Sequence, residues 1–175
     1  MTHDKELLLV TGGARSGKSS YAQRWAEMRS SSRLFLATAQ PLDREMADRI
    51  RRHREDRGDD WLCMEEPLEV SRVVSEQGAK VGVILIDCIT VWLSNLLAVP
   101  LADREILARV EALAAAMKEA VCSLALVTNE VGWGIVPENP LARRFRDLAG
   151  WANSLLARNA DRVVLMVSGI PLSLK

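Results

Sequence analysis

The sequence predicts an α/β fold, a mostly parallel, doubly wound sheet in three layers. Three observations carry that reading. The apolar runs Leu7–Val10, Val81–Ile86 and Val121–Thr128 are nearly continuous, as strands covered on both faces are. Segments of helical period alternate with them. A glycine-rich turn, Gly12-Gly13-Ala14-Arg15-Ser16-Gly17-Lys18-Ser19, separates the first strand from the first helix.

That turn has P-loop spacing: a glycine, four residues, then Gly-Lys-Ser. Gly12 and Gly17 let the backbone turn tightly and bring N–H groups close to phosphate oxygens, where a Cβ would obstruct. Gly13, Ala14, Arg15 and Ser16 complete the cradle. Lys18 supplies positive charge to the β- and γ-phosphates, and the Ser19 hydroxyl is a ligand for Mg²⁺. The helix that follows directs its first N–H groups at the anion. The chain is therefore expected to bind a nucleoside triphosphate.

Taken in order, a first strand is expected over Glu6–Thr11 and a helix from Ser20 to about Met28. A second strand spans Arg33–Thr38 and stops at Pro41. Asp43–Arg57 reads as a heavily charged helix whose apolar edge is only Met46, Ala47 and Ile50. Trp61–Met64 is a short strand and Pro67–Gln77 a helix, with Gly78 beyond its end. The buried-type strand Val81–Ile86 ends in Asp87. Helices follow over Thr90–Ala98 and Asp103–Ala120, the second with Ile106, Leu107, Val110, Leu113, Ala114 and Met117 on one stripe. Val121–Thr128 is again a strand, then comes a loop to Pro140, the helix Leu141–Asn159 and a last strand, Arg162–Val167. The 175 residues form one domain, 1–175, with no internal repeat.

Composition narrows the class. Twenty-three basic residues balance 23 acidic ones, so no nucleic-acid partner is expected. Cys63, Cys88 and Cys122 are scattered, which argues against a disulfide framework or a zinc site and suits a cytoplasmic location. The apolar start is too short for a signal peptide. Val81–Leu101 is long and apolar, but Asp87, Asn95 and Pro100 interrupt it. A strand followed by a helix explains it better than a membrane span.

Two residues outside the loop carry chemistry. Asp87 closes its strand as a Walker B aspartate does, where a carboxylate holds Mg²⁺ opposite Ser19. Capping the next helix is its other reading, and the P-loop favours the metal. His53 shares a helix face with Arg49, Asp56 and Arg57. Clustered guanidiniums would neutralise a triphosphate and keep the imidazole neutral, and a neutral imidazole can attack phosphorus. On spacing alone, a solvated basic helix with one exposed histidine accounts for these residues better. Asn129 and Glu130, beside Trp133, fit either a pocket lining or a structural turn. Glu130 and Asp87 are both candidates for a general base.

Here the residues reach a family. Thr11 to Ser19, Ala37-Thr38, Asp43 with Glu45-Met46, Arg49-Ile50 and His53, and Asp87-Cys88-Ile89-Thr90 resemble the adenosylcobinamide kinase/adenosylcobinamide-phosphate guanylyltransferase family. So do Thr128 to Gly132, Gly134 to Asn139, and Ala142-Arg143 through Phe145-Arg146-Asp147 to Gly150 and Asn153. The resemblance covers nearly the whole chain. It implies a RecA-like P-loop fold, a homotrimer, and two activities in cobalamin nucleotide-loop assembly. One phosphorylates adenosylcobinamide with ATP or GTP. The other moves GMP from GTP to adenosylcobinamide phosphate through a guanylylated histidine. His53 occupies the position of that histidine, and the resemblance outweighs the solvated-helix reading drawn from spacing. By the same resemblance Thr38, Ala39, Arg54, Glu55, Asp56, Arg57, Glu65 or Glu66, and Asp87 contact guanine nucleotide. A P-loop kinase of another small molecule, without covalent chemistry, is the rival. A GTPase-like switch fits poorly, because Asn129-Glu130-Val131-Gly132 stands where an Asn-Lys-x-Asp motif would be needed.

Overall fold

The computed structural model describes residues 4–40 and 60–175. The expected helix over 43–57, and His53 with it, lies outside the described residues. The elements are β1 (Leu7–Gly12), α1 (Lys18–Arg29), β2 (Arg33–Ala37), β3 (Leu62–Glu65), α2 (Val70–Gln77) and β4 (Val83–Asp87). They continue as α3 (Ile89–Leu97), α4 (Asp103–Glu119), β5 (Ser123–Val127), α5 (Pro140–Asn159), β6 (Arg162–Val167) and β7 (Ile170–Ser173).

Among the described residues the strands form one seven-stranded sheet in the order β3-β2-β4-β5-β1-β6-β7. All pairings are parallel except β6 with β7. The strand expected over Arg162–Val167 is β6 with those bounds, but it is not the last. The structure adds β7 as a hairpin, because Ser168 and Gly169 both take positive φ, 50° and 85°, and turn the chain back along β6. The apolar segment Val81–Leu101 is β4 plus α3, and among the described residues no helix is long and apolar enough to cross a membrane.

The pleat sorts side chains onto two faces. Leu8 and Val10 of β1, Val83 and Leu85 of β4, and Ala125 and Val127 of β5 pack with Ala22, Trp25 and Ala26 of α1. Leu7 and Leu9, Ile84 and Ile86, and Leu124 and Leu126 pack on the other face against α2, α3, α4 and α5. Trp92 of α3 is fully buried there and its indole N–H donates to the Leu68 carbonyl at 2.9 Å. Helix α2 starts later than expected. Glu66 Oε1 accepts the N–H groups of Leu68 and Glu69, at 3.0 and 2.9 Å, and holds them in a turn.

Candidate functional site: a P-loop and its neighbours

β1 carries Thr11 and Gly12 to the C-terminal edge of the sheet, where a doubly wound fold binds its ligands. Gly12 has φ 144°, and a Cβ there would lie 2.4 Å from the Met166 carbonyl oxygen. Gly17, at φ 92°, is the N-cap of α1 and has no side chain to occupy the first-turn N–H groups. Those donors remain open to an anion. Ser16 and Lys18 are buried, whereas Gly13, Ala14 and Arg15 are exposed. Arg15 holds φ 54°, a left-handed conformation uncommon away from glycine. Lys18 Nζ donates to the Gly13 carbonyl at 2.5 Å and to Ser16 Oγ at 3.4 Å. The ammonium is thus gathered under the loop whose phosphate it would serve.

Asp87 stands last in β4, half-buried. By alternation it belongs with Val83 and Leu85 on the α1 face, the face of Ser19 in the first turn of α1. It does not cap α3. Cys88 does, its Sγ accepting the Val91 N–H at 3.4 Å. Asp87 is thereby left for other work, and the pair Ser19 hydroxyl and Asp87 carboxylate is the oxygen donor set Mg²⁺ takes beside nucleotide phosphates. Among the described residues no group of three or more His, Cys, Asp and Glu could hold a metal by itself. Burial first, and the Asp87 charge second, push the Cys88 thiol up to about 11.

Thr38 is fully buried, and its hydroxyl donates to the Cys88 carbonyl and accepts the Cys88 N–H. Its own carbonyl accepts from Asn95 Nδ2 at 2.8 Å. Ala39 follows, half-buried, past the end of β2. Glu65 is exposed at the end of β3, the sheet edge remote from the P-loop. Three strands separate β3 from β1, so Glu65 stands about 19 Å along the sheet from the P-loop strand. Arg54, Glu55, Asp56 and Arg57, like His53, lie outside the described residues. Among the predicted residues the structure brings together the P-loop, Ser19, Asp87 and Thr38.

Thr11, Thr128 and Asn153 had no individual role from sequence, yet they stand at the same edge. β5 runs between β1 and β4, and its continuation places Thr128, Asn129 and Glu130 between the P-loop and Asp87. Thr11 Oγ1 donates to Glu130 Oε1 at 2.6 Å, and Asn153 Nδ2 reaches the same oxygen at 3.3 Å. Thr128 Oγ1 donates to Asn153 Oδ1 at 2.7 Å, and the Asn129 N–H to Thr90 Oγ1 at 2.7 Å. The turn of the β6–β7 hairpin also touches the loop, the Gly169 N–H donating to the Ser16 carbonyl at 3.0 Å. The Ser168-Gly169 dipeptide was a readable turn signal for that hairpin. Past Glu130 the chain is pinned to α5 by Arg146, which donates to the Gly132 carbonyl, and by Arg143, which donates to that of Pro137, each at 2.9 Å. Between the pins Trp133, Ile135 and Val136 are 72%, 97% and 61% exposed.

A family model described as cobinamide kinase / cobinamide phosphate guanyltransferase matches residues 8–174. The chain is 41% identical, over 181 residues, to the bifunctional adenosylcobalamin biosynthesis protein CobU of Escherichia coli, covering 97% of this chain and 99% of that protein. It is 40% identical, over 169 residues, to the bifunctional adenosylcobalamin biosynthesis protein CobP of Pseudomonas aeruginosa, covering 95% and 96%. Among solved structures, the flagellar accessory protein FlaH of Methanocaldococcus jannaschii superposes with a TM-score of 0.56 at 16% identity, covering 97% of this chain and 78% of that one. A KaiC-like protein of Pyrococcus horikoshii gives 0.50 at 15% identity, covering 91% and 70%. At such identities the likeness concerns the fold alone, a RecA-like, mostly parallel sheet flanked by helices.

Proposed function

This chain belongs to the cobinamide kinase / cobinamide phosphate guanyltransferase family, and from that premise we propose how its residues divide the two reactions. The enzyme is a kinase and nucleotidyltransferase of cobalamin biosynthesis. One observation carries the division: the uncapped N-terminus of α1, Ser19 and Asp87 share one face at the same edge of the sheet. A triphosphate on that edge has its charge met by the α1 N–H groups, the loop amides and Lys18.

In the kinase reaction the loop holds ATP or GTP so that the γ-phosphoryl group faces the alcohol of adenosylcobinamide. Positioning and charge stabilisation then supply most of the rate. Ser19 and Asp87 would hold Mg²⁺, whose bound charge offsets that of the β- and γ-phosphates.

In the guanylyltransferase reaction His53 attacks the α-phosphorus of GTP, and pyrophosphate leaves with its charge stabilised by the loop. Adenosylcobinamide phosphate then takes GMP from the histidine, giving adenosylcobinamide-GDP. The resemblance at His53 supports this step, and Thr38, Ala39, Arg54, Glu55, Asp56, Arg57 and Glu65 are proposed for the guanine nucleotide on the same ground. A single domain assembled as a cytoplasmic homotrimer completes the proposal.

Incubation with α-labelled GTP tests it. Label that is acid-labile and base-stable is expected on the wild-type protein, with pyrophosphate released, and none on His53→Ala. Label retained by His53→Ala sinks the nucleophile assignment. Release of GDP alone favours a kinase without a covalent intermediate.

A further inference from the structure

We propose that Glu130 receives the proton of the acceptor alcohol in the kinase reaction, and that it takes no part in guanylyl transfer. The proposal rests on the kinase activity assigned above.

Both carboxylates at the sheet edge were candidates for this role, and the sheet separates them. Asp87 falls on the α1 face, with Ser19. Thr11 continues the alternation of Leu7 and Leu9, so it belongs to the opposite face, where α5 packs. Its hydroxyl holds Glu130, and so does Asn153 of α5. Glu130 is therefore on the α5 side of the edge while Asp87 is on the α1 side, with the end of β5 between them. A carboxylate bound to a cation is a poor proton acceptor. Among the described residues Glu130 has no ion pair to Lys or Arg, and both of its side-chain hydrogen bonds reach Oε1. Among the described residues no side-chain hydrogen bond reaches Oε2.

The backbone keeps it beside the phosphates. The Glu130 N–H donates to the Gly12 carbonyl at 3.1 Å, and Gly12 is the first glycine of the P-loop. The next residues form the loop pinned to α5 by Arg143 and Arg146.

The step balances as follows. The alcohol oxygen forms a bond to the γ-phosphorus, and the bond from that phosphorus to the β,γ-bridging oxygen breaks. The bridging electron pair leaves on the nucleoside diphosphate. The hydroxyl proton passes to Glu130 Oε2 and from there to solvent. Guanylyl transfer from a phosphohistidine to a phosphate requires no such acceptor, because the attacking phosphate oxygen is already ionised.

Glu130→Gln in the full-length protein is the test. The amide is nearly isosteric, and its oxygen can keep the bonds from Thr11 and Asn153. Phosphorylation of cobinamide by ATP should fall about 10²- to 10⁴-fold in kcat with little change in KM for ATP. Transfer of GMP from GTP to ready-made cobinamide phosphate should stay within about threefold of wild type, since general-base assistance is absent from that step. Glu130→Asp, which keeps the carboxylate, should recover part of the kinase activity. Kinase activity retained by the Gln variant overturns the proposal, and so does an equal loss of both activities or a failure of Asp to exceed Gln. A wild-type protein that phosphorylates no cobinamide would refute the assigned kinase function itself, which is a separate result.

Discussion

The Thr38 hydroxyl donates to the Cys88 carbonyl at 2.8 Å and accepts the Cys88 N–H at 2.9 Å, closing a two-bond clamp on the residue that follows Asp87. The Thr38 N–H adds a bond to the Asp87 carbonyl at 3.3 Å. A side chain just past β2 thus holds Cys88, 50 residues further along the chain and next to the end of β4. Thr38 holds the backbone that carries Asp87.

Thr38→Val keeps the shape of the side chain and removes both hydroxyl bonds. It leaves the N–H and carbonyl of buried Cys88 without that partner, a loss of about 1–3 kcal/mol. Urea unfolding should show this as a lower midpoint at unchanged slope. The Mg²⁺ concentration for half-maximal kinase activity should rise in the same variant, whereas Thr38→Ser should restore both. Wild-type stability in the Val variant would show that the clamp contributes nothing.

Gly12 and Gly13 are neighbours with opposite requirements. A methyl group on Gly12 would enter the Met166 carbonyl of β6, at a φ that other residues rarely adopt, whereas nothing lies within 4 Å of one on Gly13. Gly12→Ala should therefore cost about 1–3 kcal/mol or more and abolish nucleotide binding. Gly13→Ala should leave the melting temperature within about 1 °C, since surface substitutions are near neutral. Calorimetry of the two variants, without and with nucleotide, separates the effects.

The cysteines predict their own order of reaction. Cys63 is half-buried, and Cys88 and Cys122 are buried. A thiol reagent at pH 8 should modify Cys63 first and the others only on unfolding. Burial chiefly raises the Cys122 thiol above its usual range. In the unfolded chain that thiol ionises first, so the contribution of Cys122 to stability is intact below the ordinary thiol pKa and falls as pH rises past it. Cys122→Ala should flatten this alkaline decline in denaturation curves. An unchanged slope would mean that the thiol ionises alike in both states.

Local rules made much of the fold legible. Continuous apolar runs mark buried strands wherever the chain carries them, so β1, β4 and β5 could be read without their partners. The β6–β7 hairpin was not read, although Ser168-Gly169 signals a turn, because β7 is a short exposed strand with no buried face to betray it. Asp87 was legible as a strand-terminal carboxylate. That Cys88 rather than Asp87 caps α3 was not, since cysteine is an uncommon cap.

By itself the sequence determined the phosphate cradle. Its chemistry depends on backbone freedom at Gly12 and Gly17 and on the adjacent Lys18 and Ser19, all within one turn of chain. It also determined that residues alternate between two faces. Only the tertiary structure decided which face was which, because alternation along a strand does not say where α1 will pack. The insertion of β5 between β1 and β4 likewise depends on pairing between distant strands. That pairing makes Thr11 and Glu130 neighbours across 119 residues and turns Glu130 and Asp87 to opposite sides of the same edge.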